Sequence, residues 1–241
     1  MALDKFRIRF RKVGDLRFLS HHDLMRTFER MLRRAELPFR TTEGFHPKPR
    51  MVFALSLPLG VAGLNEVVEL ELTEELSGEE VLSRLTAQAP SGLDFVSIHR
   101  IPLLVTGQVC RAVYRLPIPL DRRANLPDRC AELLAQSEIW VERAHPKPKR
   151  VNIRPYVLDL RVYGELAIDL RVTPTGSARA DELLSLLGLS DLLDTGAVLE
   201  RAALEILDET QPVRCPSSVV SCHHQQLATA LTADEQPATD Y

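Results

Sequence analysis

The alternation of apolar and polar positions is strictest at the start of the chain. Residues 5–12, KFRIRFRK, set Phe6, Ile8 and Phe10 on one side and Arg7, Arg9 and Arg11 on the other, the period of a half-buried strand. The period then becomes helical. Ser20 stands as an N-cap with Asp23 as its acidic partner three residues on, and Leu24, Phe28 and Leu32 recur at i, i+4 and i+8 beside Met31. A short strand is expected over residues 38–42, a loop over 43–50, and an extended run over 51–57 closed by Pro58-Leu59-Gly60. Residues 67–73 alternate again, with Val68, Leu70 and Leu72 inward against Glu69 and Glu71. A second helix over 79–89 presents Val81, Leu82 and Leu85 and stops at Pro90, and 93–98 reads as a last strand.

The order β-α-β-β-α-β is the ferredoxin-like pattern, and it repeats. Strands are expected over 109–117 and 139–143, a hairpin over 156–163 and 166–173 around Gly164, and a closing strand over 198–206, with helices over 127–136 and 178–187. The expected fold is therefore α+β: two tandem ferredoxin-like halves, residues 1–104 and 105–208. Residues 209–241 are small, polar and aperiodic, and are expected to form a disordered C-terminal tail.

Composition narrows the class. A length of 241 residues suffices for a substantial core, and 45% apolar with 26% charged residues is the balance of a soluble globular chain. No apolar run approaches about 18 residues, and the N-terminal MALDKFRIRFRK carries no apolar leader, so no membrane partner is expected and the expected location is cytoplasmic. Cys110, Cys130, Cys215 and Cys222 lie far apart without C-x-x-C spacing, as free thiols in a reducing compartment would.

The net charge of −3 conceals an asymmetry: residues 1–50 hold 13 Lys/Arg against 6 Asp/Glu, and residues 51–100 hold 2 against 8. Either the basic segment steers an anionic partner, or the two segments neutralise each other across adjacent strands. The basic side chains cluster around the first helix and the loop after it, where His21, His22 and His46 also fall. That loop carries FHPKPR at 45–50, echoed by AHPKPKR at 144–150, each after the second strand of its half. Proline restricts φ and removes N–H donors, so such loops are stiff and present their cations at little ordering cost, which suits phosphate or carboxylate. The anion-binding candidates are Arg26, Arg30, His46, Lys48 and Arg50 in the first half, and Lys147, Lys149, Arg150 and Arg154 in the second. A solvated, purely connecting role for these loops is the competing reading.

His21 and His22 sit in the first turn of a helix, where the dipole lowers histidine pKa. With His46 they are weak candidates for acid and base in RNA cleavage, or for metal ligation. No carboxylate or nucleophile stands at a diagnostic spacing, which favours structural histidines over catalytic ones. The outward Arg7, Arg9 and Arg11 would suit RNA if the second sheet face is open, and would otherwise pair with Glu69 and Glu71. Cys215, Cys222, His223 and His224 resemble a metal site by composition only. There is no P-loop, G-x-G-x-x-G, G-x-S-x-G or C-x-x-x-C-x-x-C, and no cofactor is assigned.

Three segments, RIRFRKVGDLRFLSHHDLMRTFERMLRRAELPF, TEGFHPKPRMVFALSLPLG and KPKRVNIRPYVLDL, resemble the radical SAM-linked protein family, a bacterial domain of unknown function found alone or behind a radical SAM enzyme module. The resemblance spans about residues 5–205, and LSHHDL and GFHPKPR are its most specific parts. It implies an accessory or substrate-presenting partner of a radical SAM enzyme, acting on RNA or a ribosomal component, and it carries over no catalytic residue. The expectation is an adaptor that binds RNA through a basic surface. A second reading is a metal-independent endoribonuclease, similar to the tandem ferredoxin-like enzymes that process CRISPR transcripts. A third is a module that only binds protein.

Overall fold

The computed structural model describes residues 4–144, 147–207 and 209. Strand β1 (Asp4–Lys12) leads through a 3-10 turn at Gly14–Phe18 into helix α1 (His21–Arg34). Then follow β2 (Met51–Phe53), β3 (Ala62–Leu72), α2 (Gly78–Thr86) and β4 (Leu93–Arg100). The second half runs β5 (Val109–Pro117), α3 (Leu126–Ala135), β6 (Trp140–Arg143), β7 (Lys149–Asn152), β8 (Val157–Val162), β9 (Glu165–Thr173), β10 (Gly176–Ser177), α4 (Ala180–Leu186), α5 (Asp191–Asp194) and β11 (Glu200–Ile206).

The architecture is mixed α+β, with one large mixed sheet of nine strands. In the first half β1 lies between β3 and β4, with β2 against β3, every pairing antiparallel. In the second half the order is β11-β5-β9-β8, again antiparallel throughout. A short parallel contact, Glu200 opposite Ala62 and Arg201 opposite Gly63, joins the halves into one sheet. β6 and β7 stand apart as a two-stranded hairpin. There are two apolar cores, the second of which also takes in Leu57, Val61 and Val67 of the first half. Phe6, Ile8 and Phe10 meet Leu24, Phe28 and Leu32 of α1 and Val81 and Leu85 of α2. In the second half Leu116, Ile168 and Leu170 meet Leu126, Leu133, Leu183 and Leu184.

The sequence pattern mislays some boundaries. Residues 38–42 make two isolated bridges, Phe39 to Leu72 and Thr41 to Pro49, in place of a strand. β2 ends at Phe53, four residues before the expected end of that extended run. β3 begins at Ala62, five residues early, because the polar Asn65 and Glu66 are buried in it and break the expected alternation. The strand β7 and the short helix α5 carry no strong apolar period and were not expected. The expected tail, apart from Glu209, lies outside the described residues, as do Cys215, Cys222, His223 and His224. Among the described residues no helix is long and apolar enough to cross a membrane.

The second face of β1 is not an open platform. Lys5, Arg7 and Arg9 project from it and are all buried, Arg9 to 1% exposure. Glu69 takes Lys5 and Arg7, both at 2.9 Å, and Glu209 pairs with Arg7 and Arg9. The connection between halves lies over this layer: the Lys5 ammonium donates to the Val105 carbonyl and the Gly107 amide donates to Glu69 at 2.8 Å. The expected pairing partner of Arg7 is thus found, but Glu71 instead takes Arg40 and Arg50. Lys5, Arg7, Arg40 and Arg50, four of the 13 basic residues of 1–50, are neutralised in this way by Glu69 and Glu71.

A second buried pair clamps the seam. Arg201, 1% exposed, donates from Nε to Glu66 at 2.8 Å, from Nη1 to the Ser56 carbonyl and from Nη2 to the Leu55 carbonyl, both at 3.0 Å. Burial opposes its charge, but Glu66 outweighs that and raises the pKa of Arg201. A Cβ on Gly63 would fall 2.4 Å from Glu66 Cγ, so a glycine opposite Arg201 makes room for the pair.

Candidate functional site

The N-terminus of α1 is wound by Ser20, whose hydroxyl accepts from the Asp23 amide at 3.2 Å and donates to the Asp23 carboxylate at 2.7 Å. This fixes two histidines in opposite roles. His21 turns inward and meets Phe53 edge-on at 5.3 Å, while His22 is exposed. Burial lowers the pKa of His21, helped by His22 and by Lys12. Lys12, itself buried, donates to the Leu19 carbonyl at 2.7 Å, and its own pKa is lowered by burial against the pull of Glu66.

The first H-P-K-P loop is closed at its base by backbone pairing. The Thr42 amide donates to the Lys48 carbonyl at 2.8 Å, the Lys48 amide to the Thr42 hydroxyl at 3.1 Å, and the Arg50 amide to the Arg40 carbonyl at 2.7 Å. Arg40 and Arg50 are anchored beneath by Glu71, at 3.0 and 3.2 Å. At the tip Gly44 adopts φ +126°, open only to glycine, and turns the chain so that Phe45 and His46 face solvent. Pro49 is buried against the body of the protein and Lys48 is exposed. Between this loop and α1 lies a hollow of about 110 Å³, lined among others by His22, Met25, Arg26, Glu29 and Lys48.

The described residues of the second loop adjoin the β6–β7 hairpin, with Glu142 opposite Arg150 and Arg143 opposite Lys149. Arg143 anchors the hairpin, pairing with Glu182 at 2.6 Å and donating to the Ser177 carbonyl at 2.8 Å. Its outer side presents Trp140, with the Arg150 guanidinium 4.8 Å over the ring and the indole N–H donating to Glu138 at 3.0 Å. His145 and Pro146 lie outside the described residues.

The structure therefore sorts the sequence candidates. His22, Arg26 and Lys48 meet around one hollow, whereas His21 is packed inward and His46 stands at the loop tip. Arg26 has a long contact to Asp23, at 3.4 Å and largely exposed, and Arg50 is held by Glu71. Among the described residues Arg30, Lys48, Lys147 and Lys149 are exposed and have no acidic partner. Arg154 is committed elsewhere: it donates to the carbonyls of Leu134 and Val157, both at 2.8 Å, and of Gln136 at 3.1 Å, closing the C-terminal end of α3. No group of three or more His, Cys, Asp or Glu among the described residues could hold a metal ion. Sequence reasoning missed Phe45 and Trp140; Phe45 directly precedes the basic loop residues, which was an available signal, whereas Trp140 meets Arg150 only through the pairing of β6 with β7.

The family model described as an uncharacterized protein conserved in bacteria, DUF2344, matches residues 5–181. No curated protein matches the chain. Among solved structures, the crystal structure of an unknown protein from Galdieria sulphuraria is 11% identical, with 85% of this chain and 98% of that one covered and a TM-score of 0.25.

Proposed function

We propose that this chain, which belongs to the bacterial DUF2344 family, is an accessory protein that binds RNA by its phosphate backbone. The observation that carries this reading is the state of the cations on the two proline-bounded loops. Buried arginines elsewhere are matched by carboxylates, yet Lys48, Lys147 and Lys149 are exposed and make no ion pair among the described residues, although Glu29 lines the hollow beside Lys48. The loops beneath them are held by Glu71 and by Glu182. Cations on anchored supports lose little entropy when an anion arrives, and the loss of counterions from RNA supplies the driving force. His22 and Arg26 extend the first basic surface along α1.

In this reading each half is ferredoxin-like, and the repeated antiparallel orders β4-β1-β3-β2 and β11-β5-β9-β8 support it. The resemblance to radical SAM-linked proteins supplies the partner, so the chain presents its RNA, or a ribosomal particle that contains it, to a radical SAM enzyme in the cytoplasm. Purification of the tagged protein from its own cells, with and without ribonuclease, tests this. A radical SAM enzyme retained after ribonuclease together with RNA recovered before it is the expected result. Recovery of neither refutes the proposal.

A further inference from the structure

We propose that Trp140 and Phe45 are stacking surfaces for unpaired bases, which makes the ligand a single-stranded nucleic acid. This deepens the RNA-binding reading and rests on it.

Tyr163 and Phe18 are exposed too, but Phe45 and Trp140 adjoin the cations of the H-P-K-P segments. Phe45 is 102% exposed and Trp140 is 44% exposed, although aromatic rings are among the side chains that gain most from leaving water. Nor are they scattered. Phe45 immediately precedes His46, Pro47 and Lys48, and Trp140 stands on the strand paired with Lys149–Asn152. Each H-P-K-P loop therefore couples one exposed ring with exposed cations. A phosphate backbone held by Lys48, or by Lys147 and Arg150, which shares the face of Trp140, brings its bases within reach of the neighbouring ring.

Trp140 is also set in a fixed orientation. Its indole N–H is held by Glu138 at 3.0 Å and the Arg150 guanidinium lies 4.8 Å over the ring. A ring already oriented pays little to receive a base, and guanidinium planes themselves stack on bases. Duplex RNA hides its base faces in the helical stack, so rings exposed beside phosphate-binding cations discriminate for single strands.

Trp140 is the sole tryptophan of the chain, which makes the test direct. The protein is titrated with an oligouridylate, an oligothymidylate, a blunt RNA duplex and inorganic polyphosphate, with indole emission and the anisotropy of the labelled oligonucleotide followed together. Saturable quenching by the oligouridylate, absent with polyphosphate and with duplex, is the expected result; equal quenching by the oligothymidylate identifies the ligand as single-stranded nucleic acid of either sugar. Phe45→Ala and Trp140→Ala should each weaken oligouridylate binding about tenfold and leave polyphosphate binding unchanged. Because Phe45 lies wholly in solvent, its variant reads stacking without a folding defect. Binding by anisotropy with no quenching and no effect of either substitution overturns the inference while the basic loops stand. Failure of every nucleic acid to bind overturns the RNA-binding reading with it.

Discussion

Arg201 offers the sharpest test of how the two halves are joined. The parallel contact between β3 and β11 comprises only two residue pairs, and Arg201 reinforces it by reaching Glu66 and the carbonyls of Leu55 and Ser56. Arg201 is 1% and Glu66 3% exposed, so removing either partner strands a buried charge. Glu66→Leu or Arg201→Met should each destabilise the chain by about 3–5 kcal/mol. For a chain of this size that lowers Tm by about 6–20 °C. The double variant removes both charges of the pair and leaves two carbonyls without their donor and the buried Lys12 without the pull of Glu66, a loss of about 3 kcal/mol. The singles should therefore sum to far more than the double, with a coupling of about 3 kcal/mol or more. Urea unfolding followed by circular dichroism measures all four chains, with the slope m compared to confirm one cooperative transition. Singles that cost less than about 1 kcal/mol, or a double equal to their sum, would refute the clamp.

Three further outcomes follow from named contacts. Glu209→Ala should cost about 1–3 kcal/mol, since it strips a carboxylate from the buried Arg7 and Arg9, and urea unfolding of the variant checks it. His21 has its folded pKa lowered by burial below the ordinary 6.5, so protonation favours the unfolded chain. Its contribution to stability is whole above that value and is lost as pH falls through the lowered folded pKa; comparing urea midpoints at about pH 7.5 and 5.5 should show a drop that His21→Phe reduces. Arg154→Ala should destabilise by about 1–3 kcal/mol through the freed carbonyls of α3 yet leave the salt dependence of RNA binding unchanged, which anisotropy titrations at several KCl concentrations would show.

The elements legible in the sequence are those whose burial follows one period. Leu24, Phe28 and Leu32 mark α1, and the Ser20–Asp23 cap is found where the residues place it. β1 was legible on its apolar face, whereas the fate of Arg7 and Arg9 depends on Val105, Gly107 and Glu209, about a hundred to two hundred residues away, which no local pattern carries. β7 was hidden because Lys149 and Arg150 read as a solvated turn, and only the opposing Arg143 and Glu142 make them a strand. Arg154 could not be told from Lys147 or Lys149 because its partners are backbone carbonyls, which have no residue code. Of the candidate site, the cations and their repeat are legible; the rings are not, because an aromatic residue is expected inside and Trp140 stands seven residues before Lys147.

The central claim is that the two loops grip RNA through Lys48, Lys147 and Lys149. The decisive measurement is the affinity for a labelled single-stranded RNA across a series of KCl concentrations, for the unaltered chain and for Lys48→Ala/Lys147→Ala/Lys149→Ala. The account predicts weaker binding and a log-affinity against log-salt slope shallower by about 2 in the triple variant, three phosphate contacts being lost. An unchanged slope, or no RNA binding by the unaltered chain at low salt, would contradict it.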